Sequence, residues 1–301
     1  MSHTFLFPGQ GSQKVGMAAD LYEKSELAKQ MFDQANSILG RSITDIMFKG
    51  PEELLKSTDN TQPAIFVMEA VLCDLLKNKG IKPSFAAGHS LGEYGALYAA
   101  GVFSFADGVK LVAKRGELMA KARSGGMAAI MGLPLETIKA TIATATGGVV
   151  VTANENAPDQ TVISGDVAAV KDACAKLTAA GAKRAIELPV SGAFHSPLMQ
   201  EAADAFAVFL AGVTLNNAEF PVFCNVTAAP ETDGAKIKDL LVKQLVSPVR
   251  WVDSMAALAA KEVGTGVEVG PGAVLKGLVK KCQPQINVLS CETFEQLSAV
   301  Q

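Results

Sequence analysis

The sequence has little of what marks a nucleic-acid, membrane or metal protein. Its 301 residues carry a formal net charge of only −3, which gives no reason to expect nucleic acid or a membrane surface as the main partner. No stretch reaches about 18 uninterrupted apolar residues, so no transmembrane helix is predicted. The opening MSHTFLFPGQGSQ has neither a basic segment nor a long apolar run, and no signal peptide is expected. The five cysteines, Cys73, Cys174, Cys224, Cys282 and Cys291, form no CxxC pair. They predict buried thiols in a reducing cytoplasm and no metal site. There are no repeats and no low-complexity linker. GTGVEVGPG has no Gly-Lys-Ser/Thr after it and misses the G-x-G-x-x-G spacing, so it reads as a strand-to-helix turn rather than a phosphate loop. Histidine is scarce too: His3, His89 and His195 are the only candidates for an imidazole base.

What is present is apolar bulk, 49% of the residues, enough to bury a substantial core. TFLF runs into the glycine-rich PGQGSQ, a buried strand feeding a loop. PAIFVMEAVLCDLLKNKG reads as a helix stopped by Gly80. SFAAG is a second short strand, followed by GHSLG and a helix closed by Gly101. The rhythm then changes. MAAIMGL, PLETIKATIATA, VVVTAN, QTVISG, DVAAVKDACAKLTAAG and KRAIELPV read as β-α-β-β-α-β. Pro134 is expected at the first position of its helix, Asp166 as an N-cap and Gly181 as a stop. Beyond them, Ser196 and Pro197 start another helix, with Met199, Ala203, Phe206 and Leu210 on one apolar face. FPVFCNVTA and GTGVEVG are short strands, and PGAVLKGLVKK is a helix. The predicted class is α/β: an α/β-hydrolase-like large domain with a short parallel sheet, residues 1–126 and 191–301, and an inserted ferredoxin-like subdomain, 127–190.

GHSLG places Ser90 in a G-x-S-x-G motif between a strand and a helix, the setting of a nucleophile elbow. Gly88 and Gly92 leave room for a tight turn, and the Leu91 N–H at the helix start is free to face an oxyanion. A neutral serine needs a base. His89 is adjacent to Ser90 and points elsewhere, and His3 is near the terminus. His195 is therefore the expected base. No Asp or Glu stands out as a third triad member, and a backbone carbonyl can fix an imidazole tautomer equally well.

The segment DGVKLVAKRGELMAKA reads as a helix in which Arg115 has Leu111, Val112, Leu118 and Met119 at i±3 and i±4. A guanidinium on an apolar face is costly unless an anion pairs with it. Either an internal carboxylate does so, or a substrate does whose own carboxylate the fork grips with two hydrogen bonds.

FPGQGSQ, GHSLGEY, the arginine in KRGELM, AFHS, KQLVSPVRW and EVGPG occur in order across residues 4 to about 280. Together they resemble the malonyl-CoA:acyl carrier protein transacylases of bacterial fatty acid synthesis. The resemblance implies that Ser90 takes the malonyl group as an ester, with His195 as base and then acid, and that Arg115 binds the malonyl carboxylate. It implies an oxyanion hole from the N–H groups of Gln10 and Leu91, and a Gln244 carbonyl that orients His195. Asn154 and Asn156 would line the cleft beside the small unit. Leu91 and Phe194 stand where malonyl-preferring relatives carry the same residues, and the phenylalanine would crowd out a methyl branch. The implied partners are malonyl-CoA and holo acyl carrier protein, with no nucleic acid or membrane. No cofactor is implied, since the CoA thioester is a substrate. Lys183-Arg184 and Lys280-Lys281 are candidate cationic contacts for these acidic partners. A clamped carboxylate would also exclude water while the acyl-serine waits for a thiol. A serine esterase or thioesterase, a non-enzymatic carrier-binding module and a transferase for acetyl or a longer chain are the alternatives. A buried arginine argues against the first and would be useless in the third, and an intact nucleophile and base speak against the second.

Overall fold

The computed structural model describes residues 3–122, 125–190, 192–261 and 263–301. It is a mixed α/β fold with a mainly parallel sheet and a separate antiparallel sheet. The larger sheet has six strands: β1 (His3–Phe7), β2 (Pro83–Gly88), β7 (Val222–Cys224), β8 (Ala229–Glu231), β9 (Thr265–Val269) and β10 (Val288–Cys291). Their order is β10-β9-β1-β2-β7-β8. All pairings are parallel except β7 with β8. β1 lies at the centre and is buried along its whole length. Its alternation assigns the two faces: Phe5 and Phe7 enter the main core, while Leu6 points the other way to Trp251, Met255 and Leu275. A central strand covered on both faces therefore reads as an unbroken apolar run. The helix Thr58–Asn78, buried almost throughout, fills the main core beside Phe105–Lys121.

The second sheet holds β3 (Gly126–Met131), β4 (Val150–Ala157), β5 (Gln160–Gly165) and β6 (Arg184–Glu187), in the order β4-β5-β3-β6 and wholly antiparallel. Helices Leu135–Ile142 and Val167–Ala179 cover one face and share a core with Ala128, Ile130 and Ile163. On the other face Met127, Ala129 and Val162 join the main core. The period of two along β3 thus fastens this sheet to the rest of the chain.

Local details depart from the sequence reading. Pro134 is the N-cap of its helix, in extended backbone, one position earlier than expected. The Asp166 carboxylate accepts from the Val149 N–H at 2.7 Å instead of capping its own helix. A single 3-10 turn, Pro197–Met199, precedes the helix Gln200–Ala211, and Ser196 caps that turn. β8 and β10 carry too few residues to show a period. Ser191, at the predicted domain boundary, lies outside the described residues.

Candidate active site

β1 and β2 are neighbours in register, Phe7 opposite Gly88. Their following turns therefore leave the same carboxyl edge of the sheet side by side, where ligands bind in open α/β sheets. His3 begins β1 and is at the opposite edge from Ser90.

Ser90 has φ +52°, a left-handed conformation that costs a non-glycine residue roughly 1–2 kcal/mol. The turn is tight enough that a Cβ on Gly88 would overlap the Gly92 carbonyl, and one on Gly92 would overlap the Phe7 carbonyl. Asn225, in the turn after β7, fastens the strained elbow. Its Oδ1 accepts from the Ser90 N–H at 2.7 Å, and its Nδ2 donates to the Gly88 carbonyl at 2.6 Å. The N–H groups of Gln10 and Leu91, one from each turn, donate to no other group among the described residues.

His195 also has left-handed backbone, φ +58°, and is buried. Its Nε2 lies 2.8 Å from Ser90 Oγ, and its Nδ1 lies 2.8 Å from the Gln244 carbonyl oxygen. A carbonyl only accepts, so Nδ1 carries the proton and Nε2 offers its lone pair to the serine hydroxyl. Burial, reinforced by the positive charge of Arg115, pushes the imidazole down to about 3. The ring is neutral at ordinary pH.

Arg115 is 1% exposed among Val112, Leu111 and Met119. Its Nη2 donates to Ser90 Oγ at 3.1 Å and to Gln244 Oε1 at 3.0 Å. Its guanidinium carbon lies 5.5 Å from the centre of the Tyr94 ring. Nε has no hydrogen-bond partner, and no carboxylate among the described residues forms an ion pair with the side chain. The buried Glu93 carboxyl acts on the guanidinium electrostatically but makes no ion-pair contact with it. Glu93 is nearby and fully buried, and desolvation pushes it up to about 7. Its Oε2 accepts from the Asn225 N–H and from Gln244 Nε2, both at 2.9 Å.

Ser90, His195 and Arg115 open onto a cavity of about 130 Å³ that Gln10, Asn154 and Phe194 also line. His89 lines the cavity as well, contrary to its expected orientation, and Asn156 stands behind it. The Asn156 Oδ1 lies 2.7 Å from Nε2 of His89, a ring whose charged form burial disfavours and that rests against Trp251. Lys281 is engaged by Asp159 at 3.3 Å. Among the described residues no group of three or more His, Cys, Asp or Glu is placed to hold a metal ion. None of the described helices is long and apolar enough to cross a membrane.

Sequence reasoning missed Asn225 and the part played by Glu93. The signal for Glu93 was its place in GHSLGEY, on the first turn of the elbow helix Gly92–Ala99. Asn225 gave none, being one of many polar residues that follow a strand.

The acyl transferase domain model matches residues 4–295. The chain belongs to the acyl transferase domain family. It is 44% identical to the malonyl CoA-acyl carrier protein transacylase of Synechocystis, covering all of both chains. Among solved structures, an acyl carrier protein S-malonyltransferase from Vibrio cholerae superposes with a TM-score of 0.97 at 42% identity over the full length of both. A malonyl-transacylase in complex with a holo type II PKS acyl-carrier protein gives 0.96 at 39% identity, covering 99% of this chain and 98% of that one.

Proposed function

We propose that this chain transfers the malonyl group from malonyl-CoA to the phosphopantetheine thiol of holo acyl carrier protein, supplying the extender for fatty acid synthesis in the cytoplasm. One observation carries the reading. Ser90 Oγ lies between a neutral imidazole at 2.8 Å and a buried guanidinium at 3.1 Å that makes no ion-pair contact with a carboxylate among the described residues.

Ser90 Oγ attacks the thioester carbonyl carbon while Nε2 of His195 takes its proton. The carbonyl π electrons move to oxygen, and the oxyanion is held by the Gln10 and Leu91 N–H groups. Collapse expels CoA thiolate, which receives the proton from His195, and malonyl-Ser90 remains. The carrier thiol then repeats the steps in reverse, giving its proton to His195 and releasing Ser90. Arg115 turns from Ser90 Oγ to the malonyl carboxylate as malonyl-CoA binds and keeps hold of it in the ester. Gln244 holds His195 through its carbonyl and Arg115 through its side chain. Phe194 and Asn154 shape the acyl cavity. Asn156 acts from behind through His89. No cofactor takes part.

The large sheet with the elbow at its carboxyl edge supports an α/β-hydrolase-like domain, residues 1–126 and 191–301. The βαββαβ unit, 127–190, with its strand order, supports a ferredoxin-like subdomain. The deciding experiment is intact mass after brief mixing with malonyl-CoA or acetyl-CoA, then addition of holo carrier protein. A malonyl adduct on Ser90 that moves to the carrier is expected, with little acetyl adduct. Equal acetyl loading, or loss of the adduct to water alone, overturns the proposal.

A further inference from the structure

The hydrogen bonds behind the cavity form a directed chain. Gln244 Nε2 donates to Glu93 Oε2 at 2.9 Å and to the Ser90 carbonyl at 3.0 Å. With both amide protons committed, Oε1 must face the other way, and there it accepts from Arg115 Nη2 at 3.0 Å. A flipped amide would set Oε1 against two acceptors and present N–H groups to a cation, which lost hydrogen bonds and like charge both oppose. Glu93 is fully buried on the elbow helix and touches neither the cavity nor Ser90 Oγ.

We propose that Glu93 is a positioning residue for acyl-group selection: it fixes the sense of the Gln244 amide, and the amide holds Arg115 where a substrate carboxylate can reach it. The role rests on the malonyl reading of the site. It predicts that Glu93 affects a carboxylate-bearing acyl group much more than an uncharged one. A purely structural residue would affect both alike.

The test compares single-turnover loading of Ser90 by malonyl-CoA and by acetyl-CoA in the full chain, with kcat and KM for each. Glu93→Gln keeps an acceptor at the same place and is expected to retain the wild-type malonyl-to-acetyl ratio within about threefold. Glu93→Met removes the acceptor and is expected to lower that ratio about tenfold or more, through the malonyl KM, because one charge-assisted bond is worth roughly this factor. If the malonyl and acetyl rates fall together, or the ratio does not move, the role of Glu93 is overturned. Should Glu93→Met not fold, Gln244→Met decides. It keeps the carbonyl on His195 and removes the side-chain bridge, so the same loss of ratio is expected and an unchanged ratio overturns the proposal. A wild-type chain that loads malonyl no faster than acetyl overturns the functional reading itself. A wild-type preference that survives in Glu93→Met overturns only the positioning role.

Discussion

Ser90 Oγ and His195 Nε2 lie 2.8 Å apart although 105 positions separate them, and both residues hold left-handed backbone. The strain aims each side chain at the other, and the Asn225 and Gln244 hydrogen bonds hold it in place. Ser90→Ala is expected to abolish the covalent adduct. His195→Ala should slow malonyl loading by about 10²- to 10⁴-fold, the usual contribution of a positioned base. Rapid-quench mass measurement of the adduct checks both.

The pH dependence should be unusual for a histidine base. Burial holds His195 down at about 3, so its base form persists well below the ordinary histidine range. Malonyl loading measured in single turnover is expected to stay level as pH falls from 7.5 to about 5, with no inflection near 6.5. For stability the sign follows from a folded value below the unfolded one. The contribution is fully present above the unfolded value near 6.5 and is lost as pH falls toward 3. A loading rate that halves near 6.5 would contradict this.

Arg115→Ala should lower kcat/KM for malonyl-CoA by about 10²- to 10³-fold, the worth of two charge-assisted hydrogen bonds, with a much smaller effect on acetyl-CoA. It should also raise the fraction of acyl-Ser90 lost to water, because the ordered carboxylate no longer fills the cavity. Partitioning of the adduct between carrier and water measures this directly. Retained malonyl preference with no added hydrolysis would show that Arg115 does neither.

Asn225→Ala leaves the Ser90 N–H and the Gly88 carbonyl without their partner. One buried and one half-buried group left unpaired should cost about 1–3 kcal/mol in urea unfolding. Acyl loading should fall for malonyl and acetyl alike, because the elbow itself relaxes.

Phe194→Ala enlarges the acyl cavity that Phe194 lines. Discrimination against methylmalonyl-CoA should shrink by about tenfold, within the roughly 1–3 kcal/mol that one methyl group commands. Competition between the two thioesters for Ser90, read by mass, gives the ratio.

Much of the site was legible because its residue types were constrained locally. A serine between Gly88 and Gly92, a scarcity of histidine and an arginine with apolar neighbours each carry a physical signal within a few positions. The strand-helix alternation from Gly126 to Glu187 was legible for the same reason, since each element shows its own period. Pro134 was misplaced by one step, and Asp166 stands at the expected N-cap but turns its carboxylate to Val149, because several groups at a helix start can satisfy the same backbone and packing chooses among them. The short edge strands β8 and β10 lacked enough residues to show a period.

The sequence by itself determined which side chains were available: one serine poised at a glycine turn, few imidazoles, and a cation on an apolar helix face. Only the tertiary structure decided how they meet. Parallel pairing of β1 with β2 brings the two glycine-rich turns together. The loop after the small sheet delivers His195, and the carbonyl at the end of the Gly234–Gln244 helix selects its tautomer. Glu93 and Asn225 gained their places in the same way, through hydrogen bonds between residues 132 positions apart. Local patterns encode conformation, whereas contacts at such separations are encoded only by the packing of the whole chain.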